Sequence, residues 1–155
     1  MPRFDKILCP VDFEQNSVRA LRVAAELAQE RKAMLYLLHV VAVPPGPEVA
    51  LPFGEMEAAA RAKLARFAQR WIDGKIRYEM DVAMGDPGGE VLRVAKRKRV
   101  NLIVMATHGR KGLRRLVLGS VAERVVREAP CPVLTLKPRT AAQGASAKPA
   151  TKARG

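Results

Sequence analysis

Apolar runs alternate with helix-like segments along most of the chain. Five runs are typical of strands, because they are short and either dense in apolar residues or alternate apolar with polar ones. They are Phe4–Val11, Ala33–Val43, Lys75–Val82, Val100–Ala106 and Pro132–Leu136. A strand–helix alternation of this kind predicts βαβ units and a parallel sheet.

Four helices are predicted between these strands, each from a different signal. The first carries apolar residues at steps of three and four, and the second is rich in good helix formers and is followed by Gly74 as a stop signal. Asp86 and Pro87 are an N-cap and a first helical residue for the third. Ser120 and Glu123 have the spacing of a capping box for the fourth. The expected bounds are Gln15 to about Arg31, Glu55–Trp71, Asp86 to about Arg99, and a start near Ser120.

Right-handed crossovers limit this pattern to a doubly wound layer with helices on both faces. We therefore predict an α/β fold of the Rossmann-like, nucleotide-binding type. It has a single five-stranded parallel sheet in the order 3-2-1-4-5, flanked by four helices. The third strand is placed at an edge because Lys75–Val82 alternates polar with apolar residues. Such sheets bind ligands outside the carboxyl ends of the strands where the order reverses, here between strands one and four.

At this point the first strand is followed by Pro10-Val11-Asp12-Phe13. A carboxylate directly beyond a buried strand suits a ribose hydroxyl or a bound cation, since it accepts hydrogen bonds and ligates metals. An N-terminal cap for the following helix is an equally good interpretation of Asp12.

The fourth strand is followed by a loop from Ala106 to Ser120 that is rich in glycine and cations. Its glycines permit a close backbone approach, and a glycine before a helix start makes an anion site. A solvated basic loop is the alternative. His108 is expected to be a structural loop residue rather than a catalyst. The cations that could face phosphates are Arg110, Lys111, Arg114 and Arg115.

Composition narrows the class of protein. Hydrophobic residues make up 48% of the 155-residue chain, which fits one globular domain. No run approaches the roughly 18 apolar residues of a membrane helix, and Asp5 interrupts any signal peptide, so we expect a cytoplasmic protein. Cys9 and Cys131 should lie ~9.5 Å apart on strands separated by another, too far for a disulfide. Both are predicted to be buried hydrophobic residues.

Basic residues outnumber acidic ones, 28 to 15, which gives a formal net charge of +13. Residues 139–155 hold four cations and no acid, and their composition predicts a disordered basic tail. The domain is therefore expected over residues 1–138, with a charge of +9 that suits an anionic ligand or partner. A nucleic acid or an acidic partner could contact the tail. The run Lys96–Arg99 could also bind nucleic acid, or simply interact with the carbonyl end of its helix.

From Phe4 to Lys137 the chain resembles the universal stress protein family. The ATP-binding branch of that family carries G-x2-G-x9-G-[S/T] after the fourth strand, and this chain has Ala106-x2-Gly109-x9-Gly119-Ser120. Ala106 departs from the pattern, which has glycine there. An alanine costs little at this position if its φ is negative. Three further segments match: Pro10–Phe13, Leu38–Val40 and Ala129–Leu134.

The resemblance implies that the ligand is ATP or a related adenine nucleotide, with Mg²⁺ or Mn²⁺ beside the phosphates. Asp12 would contact the ribose, and Val40 and Met105 would border the adenine. The phosphates would lie against Gly109, Gly119, Ser120 and Val121. With their neighbours, the candidate binding residues are Pro10, Val11, Asp12, Val40, Met105, Ala106, His108, Gly109, Arg110, Gly119, Ser120 and Val121.

Three functions are compatible with these features. The resemblance favours a nucleotide-dependent regulator of the stress response, a homodimer in which the last strands, Pro132–Leu136, pair across a two-fold axis. The same pocket could serve a slow ATP hydrolase or a phosphoryl or adenylyl transferase, although no nucleophile and base are evident in the sequence. An adaptor with a vestigial nucleotide site is the third interpretation.

Overall fold

The computed structural model describes residues 3–46, 52–108 and 118–139 of the chain. In these ranges, five strands alternate with four helices, none of which is both long and apolar enough to cross a membrane. The strands are β1 (Lys6–Pro10), β2 (Met34–Ala42), β3 (Tyr78–Gly85), β4 (Leu102–Ala106) and β5 (Val133–Leu136). The helices are α1 (Gln15–Arg31), α2 (Phe53–Trp71), α3 (Pro87–Lys98) and α4 (Ser120–Glu128).

The five strands form one parallel sheet in the order β3-β2-β1-β4-β5, which confirms the predicted topology. Lys6 of β1 lies opposite Met34 of β2, and Ile7 lies opposite Leu102 of β4. β3 is an edge strand, as its alternating sequence predicted, and β5 forms the other edge.

Buried apolar residues cover both faces of the sheet, so the core has two halves. Ile7 belongs to the half formed with α1 and α2, around Leu21. Leu8, the next residue, belongs to the half formed with α3 and α4, around Val91 and Val125. Successive strand residues face opposite sides of a sheet, so a strand buried on both faces must be apolar throughout.

β3 lies three residues later than predicted, over Tyr78–Gly85 instead of Lys75–Val82. The chain first makes a turn, in which the Ile76 amide donates to the Asp73 carbonyl at 3.1 Å. The Lys75 amide donates to the Asp73 carboxylate at 3.3 Å. This turn occupies residues that alternate in sequence as a strand would. The bounds of the other strands differ from the predicted ones by two residues or fewer.

The helix ends match the predicted signals unevenly. α3 begins as predicted, because the Asp86 carboxylate accepts a hydrogen bond from the Gly89 amide at 2.8 Å. The Lys96–Arg99 run lies at the carbonyl end of α3, and two of its side chains form ion pairs with carboxylates of β3. α2 ends at Trp71, the predicted last residue, and begins at Phe53, two residues before the predicted start.

The two cysteines lie in different environments. Cys9 is fully buried in β1, whereas Cys131, just before β5, is half-buried, so the prediction of burial is correct for Cys9 only. Both thiols are free. Burial raises the pKa of the Cys9 thiol to about 12, and partial burial also raises the pKa of Cys131.

Candidate functional site

Two loops meet at the carboxyl edge of the sheet. The first follows β1 and holds Val11 to Glu14, and the second follows β4 and begins with Thr107 and His108. β1 and β4 are paired neighbours, so both loops leave the same edge side by side. The Asn16 side chain in α1 also reaches across, donating to the His108 carbonyl at 3.4 Å. This edge is the predicted point at which the strand order reverses.

Asp12 is held by reciprocal hydrogen bonds with Ser17. The Asp12 amide donates to Ser17 Oγ at 2.9 Å, and the Ser17 hydroxyl donates to Asp12 Oδ1 at 2.5 Å. The Glu14 amide donates to the same oxygen at 3.0 Å. Glu14, rather than Asp12, is the N-cap of α1. Asp12 therefore orders the loop through Oδ1, while Oδ2 forms no hydrogen bond or ion pair with any residue in the described ranges.

Phe13 adopts a positive φ of 68°, a region that residues other than glycine rarely occupy. Its ring centroid lies 4.3 Å from that of His39 and 5.3 Å from that of Phe67, and the Lys63 ammonium lies 4.5 Å from the same ring. Packing around the side chain stabilises the strained backbone. The strained residue fixes the direction in which the chain leaves Asp12.

Val11 supports the site through the fold. Its amide donates to the Leu38 carbonyl at 2.8 Å, and its carbonyl accepts from His39 Nδ1 at 2.8 Å, so that ring nitrogen carries a proton. The Val11 side chain is buried in the half of the core that α1 and α2 cover. Pro10, the last residue of β1, lies opposite Leu38. Pro10 and Val11 are thus held by the sheet and its core, and they fix the position of Asp12, which follows them.

Gly119 packs directly against the end of β4. Its amide donates to the Thr107 carbonyl at 2.8 Å, and a Cβ on residue 119 would lie 3.0 Å from that oxygen. A side chain here would press on the Thr107 carbonyl, so the close approach favours glycine. Gly119 is also the N-cap of α4, and no side chain of the described residues caps this helix. The predicted capping box of Ser120 and Glu123 is therefore wrong, because Ser120 is already the first helical residue.

The amino end of α4 opens toward the same edge. The amides of Ser120 and Val121 make no hydrogen bond with any residue that the structure describes, as expected in a first turn. Ser120 is exposed. Such a helix end carries about half a positive charge and attracts anions.

His108 is buried beside this helix end, with 8% of its surface exposed. Its Nδ1 lies 2.9 Å from the Thr107 hydroxyl, which is also 3.2 Å from the Leu136 carbonyl. Nε2 is buried and has no hydrogen-bond partner within the described ranges. Buried polar atoms are nearly always satisfied, so this nitrogen favours a ligand or a water.

Apolar side chains lie below the two loops. Val40, Met105 and Val121 belong to the same half of the core, with Met105 buried and the two valines half-buried. Among the described residues, Ala106 is not one of those with a positive φ. Its extra methyl group therefore causes no backbone strain in β4.

The remaining candidates, Gly109 and Arg110, lie outside the described residues, as do the other loop cations. In the ranges that are described, no group of three or more His, Cys, Asp or Glu side chains could hold a metal. Asp12 supplies the one carboxylate among the candidate binding residues.

Sequence reasoning missed Ser17 and Thr107. Ser17 is a buried polar residue on the first turns of a helix whose buried face is otherwise apolar, and a serine among apolar positions is a signal that a partner exists. Thr107 contacts Gly119 through backbone atoms alone. The contact leaves a signal at Gly119, where close approach favours glycine, but the Thr107 side chain carries no signal of it.

Comparisons with known proteins agree with this architecture. Residues 3–137 match the Universal stress protein family. A universal stress protein of Methanocaldococcus jannaschii is 35% identical over 145 residues, a match that covers 86% of this chain and 82% of that protein.

Solved structures share the fold. The universal stress protein UspA from Lactobacillus plantarum is 27% identical with a TM-score of 0.76, covering 86% of this chain and 98% of that one. A universal stress protein in complex with cAMP is 20% identical (TM-score 0.62, 86% and 97% covered), and one from Archaeoglobus fulgidus in complex with dAMP is 23% identical (0.61, 87% and 98%). These last two show likeness of fold alone. The family match and the archaeal relative establish that the chain belongs to the universal stress protein family.

Proposed function

We propose that the chain binds an adenine nucleotide, ATP or a relative of it, at the carboxyl edge between β1 and β4. Asp12 borders the ribose, and Val40 and Met105 border the adenine. The phosphates lie against the amino end of α4. The relatives of this fold in complex with cAMP and dAMP support the ligand class.

The open amino end of α4 is the observation that carries this proposal. Gly119 brings the helix start against β4. Among the described residues, no side chain caps this start and no acceptor receives the Ser120 and Val121 amides. A phosphate supplies the acceptors that these donors lack. Gly109 and Arg110 extend the phosphate site in this proposal.

Asp12 suits the sugar because one of its carboxylate oxygens is fixed and the other is not engaged by a described residue. A ribose has hydroxyl donors for such an oxygen. His108 Nε2, buried without a described partner, adds a polar contact on the β4 side. Both groups are positioned before the ligand arrives, which lowers the entropic cost of binding.

A divalent cation, Mg²⁺ or Mn²⁺, accompanies the triphosphate in this proposal. Mg²⁺ commonly binds one or two carboxylates together with phosphate oxygens and water. The residues present fit that pattern, since Asp12 offers one carboxylate and the described residues contain no larger acidic cluster. The ion supplies positive charge against the phosphates.

We further propose that the protein acts as a homodimer joined through β5. β5 is an edge strand, and its Leu134 is 39% exposed, while Val126 of α4 is 45% exposed. An unpaired apolar edge tends to pair with another strand. β5 also touches the nucleotide edge, because the Thr107 amide donates to the Leu136 carbonyl at 3.0 Å. This contact supports a dimer that responds to the nucleotide.

The proposed role is therefore that of a cytoplasmic regulator in the stress response, with a domain over residues 1–138 and a basic tail over 139–155. Binding is favoured over turnover. Asp12 is the only acid among the candidates, and in this proposal its unengaged oxygen is taken by the ribose, so no candidate carboxylate remains to act as a base.

Calorimetric titration with ATP, with and without Mg²⁺, tests the site. The variant used is at Ser120, because this residue is exposed in the first turn of α4. Ser120→Asp places a carboxylate in the first turn of α4, where it interacts favourably with the helix dipole and preserves the fold. The same charge repels phosphate. We expect the wild type to bind ATP and Ser120→Asp to bind at least about tenfold more weakly, a loss of roughly 1.4 kcal/mol.

Ser120→Ala is the matched control, since it removes the hydroxyl and adds no charge, and it should retain most of the affinity. Gly119→Asp is less informative because its Cβ would already lie 3.0 Å from the Thr107 carbonyl. Equal ATP affinity in the wild type and Ser120→Asp would contradict a phosphate site at α4.

A further inference from the structure

Cations line the amino edge of the sheet, opposite the proposed nucleotide site. β3, β2, β1 and β4 are neighbours in the sheet, and each has basic residues at its start or within three residues before it. Five of these side chains are exposed and one is half-buried. We call the six residues the basic row: Lys75 and Arg77 before β3, Arg31 and Lys32 before β2, Lys6 in β1, and Arg99 before β4.

Hydrogen bonds hold the basic row in line. The Leu35 amide donates to the Arg77 carbonyl at 3.0 Å, and the Asn101 amide donates to the Lys6 carbonyl at 2.9 Å. The Arg77 guanidinium donates to the Lys32 carbonyl at 2.9 Å. Neighbouring strands lie ~4.8 Å apart, so the four strands spread these cations along a line of ~14 Å.

Part of the basic row surrounds a depression of about 300 Å³. It lies between the end of α1 and the segment before β3, and its polar lining consists of Gln29, Lys32, Lys75 and Arg77. No acidic residue is among its lining residues. A water in the liquid takes about 30 Å³, so the depression has room for a phosphate group and its hydration.

Neighbouring acids neutralise only part of the charge of the basic row, since Asp5 interacts electrostatically with Lys6. None of the six forms an ion pair with a described residue. Asp5 already pairs with a neighbouring arginine, and the carboxylates of β3 pair with Arg97 and Lys98. Two other acids, Glu30 and Asp73, lie close in sequence to the basic row, and neither forms an ion pair with a described residue.

Helix dipoles do not cancel this charge either. α1, α2 and α3 end at this edge, and the carbonyl end of a helix carries about half a negative charge. Three helix ends offset about one and a half of the six positive charges. The basic row therefore remains net positive after the dipoles and the two acids are counted.

We propose that the basic row binds the sugar–phosphate backbone of double-stranded nucleic acid, independently of base sequence. A line of cations fits a linear polyanion. Each strand of a duplex carries one phosphate per ~3.4 Å of helix axis, so a ~14 Å row lies within reach of several phosphates. Lysine and arginine contacts to phosphates supply most of the affinity in non-specific binding.

The surroundings of the basic row favour a duplex over other anionic partners. A protein interface has an apolar centre, and a membrane surface site has apolar groups that insert. The large exposed apolar side chains of the described ranges lie elsewhere, at Phe53, Val126 and Leu134. A single strand is bound by stacking on exposed aromatic rings, and Tyr78, next to Arg77, is half-buried.

Fluorescence anisotropy of a labelled duplex of about 20 base pairs tests this proposal, with the full chain and a range of about 50 to 200 mM salt. The row variant combines Lys32→Gln, Lys75→Gln and Arg99→Gln, none of which removes a side-chain bond to a described residue. We expect at least about tenfold weaker binding at low salt. The slope of log affinity against log salt should fall by roughly two to three.

The control variant combines Arg61→Gln, Arg66→Gln and Lys137→Gln, which remove the same charge from α2 and from the carboxyl edge and leave the basic tail unchanged. It should keep the salt slope of the wild type. Equal losses in the two variants would overturn the proposal, as would tighter binding to anionic vesicles or single strands than to the duplex. The assay is run without ATP, so its result does not depend on the nucleotide site.

Discussion

The amide of Gly119 donates a hydrogen bond to the carbonyl of Thr107 at 2.8 Å, and this contact fixes where α4 begins. It ties the helix end to β4 across the loop that separates them. The Thr107 amide is in turn bonded to Leu136 of β5. One backbone segment therefore links the proposed phosphate site, the centre of the sheet and its exposed edge.

Gly119→Ala should destabilise the protein. Its Cβ would lie 3.0 Å from the Thr107 carbonyl, a backbone atom that cannot rotate away. Overpacking of this kind costs about 1 to 3 kcal/mol, to be measured by urea unfolding. Gly54→Ala in α2 is the control, since nothing lies within 4 Å of its Cβ, and it should leave stability unchanged or raise it by up to about 1 kcal/mol. Equal stabilities of the two variants would show that the contact with Thr107 is not tight.

The capping box shows why local spacing failed at this site. Ser120 and Glu123 have the right separation, and the helix begins within one residue of the predicted start. The cap itself is decided by the bond from Gly119 to Thr107, a tertiary contact that four residues of sequence do not encode. β3 is a similar case. The alternating pattern predicts a strand from Lys75, but the hydrogen bonds of the turn at Asp73 hold Lys75 and Ile76, so the strand begins at Tyr78.

Features that depend on burial were predictable from the sequence. The apolar runs predict the strands, and the alternating third strand predicts that β3 is an edge strand. The strand order then predicts a ligand site at the carboxyl ends of β1 and β4. Asp12 was recognised because an acid follows a buried strand. The positive φ of Phe13 and the reciprocal bonds of Ser17 depend on three-dimensional packing, and the sequence carries no pattern for them.

Leu134→Lys should convert the proposed dimer to a monomer. The substitution places a charge on the apolar edge strand and removes about 2 kcal/mol of apolar burial per copy. Light scattering coupled to size exclusion measures the mass directly. Phe53→Lys is the control, because Phe53 is also exposed, at 48%, but lies on α2. A wild-type protein that is monomeric at all concentrations contradicts pairing through β5.

The two thiols should react at very different rates. Burial raises the pKa of Cys9 from 9.0 to about 12, so in the folded protein it stays protonated at pH 9 and is shielded from reagents. Unfolded Cys9 ionises near pH 9.0, so its contribution to stability is present below that pH and is lost as the pH rises toward 12. A thiol reagent at pH 9 should modify Cys131 first and Cys9 only on unfolding. Rapid modification of folded Cys131→Ser would contradict the burial of Cys9.

The location of the nucleotide is tested most directly by an amide NMR titration with Mg²⁺ and ATP. Two surfaces of the described residues suit an anion, the amino end of α4 and the basic row, and they lie at opposite edges of the sheet. We expect the largest shifts at the amides of Asp12, Ser120 and Val121. Shifts concentrated instead at Lys32, Lys75 and Arg77 would contradict a nucleotide site between β1 and β4, and would place ATP in the basic depression.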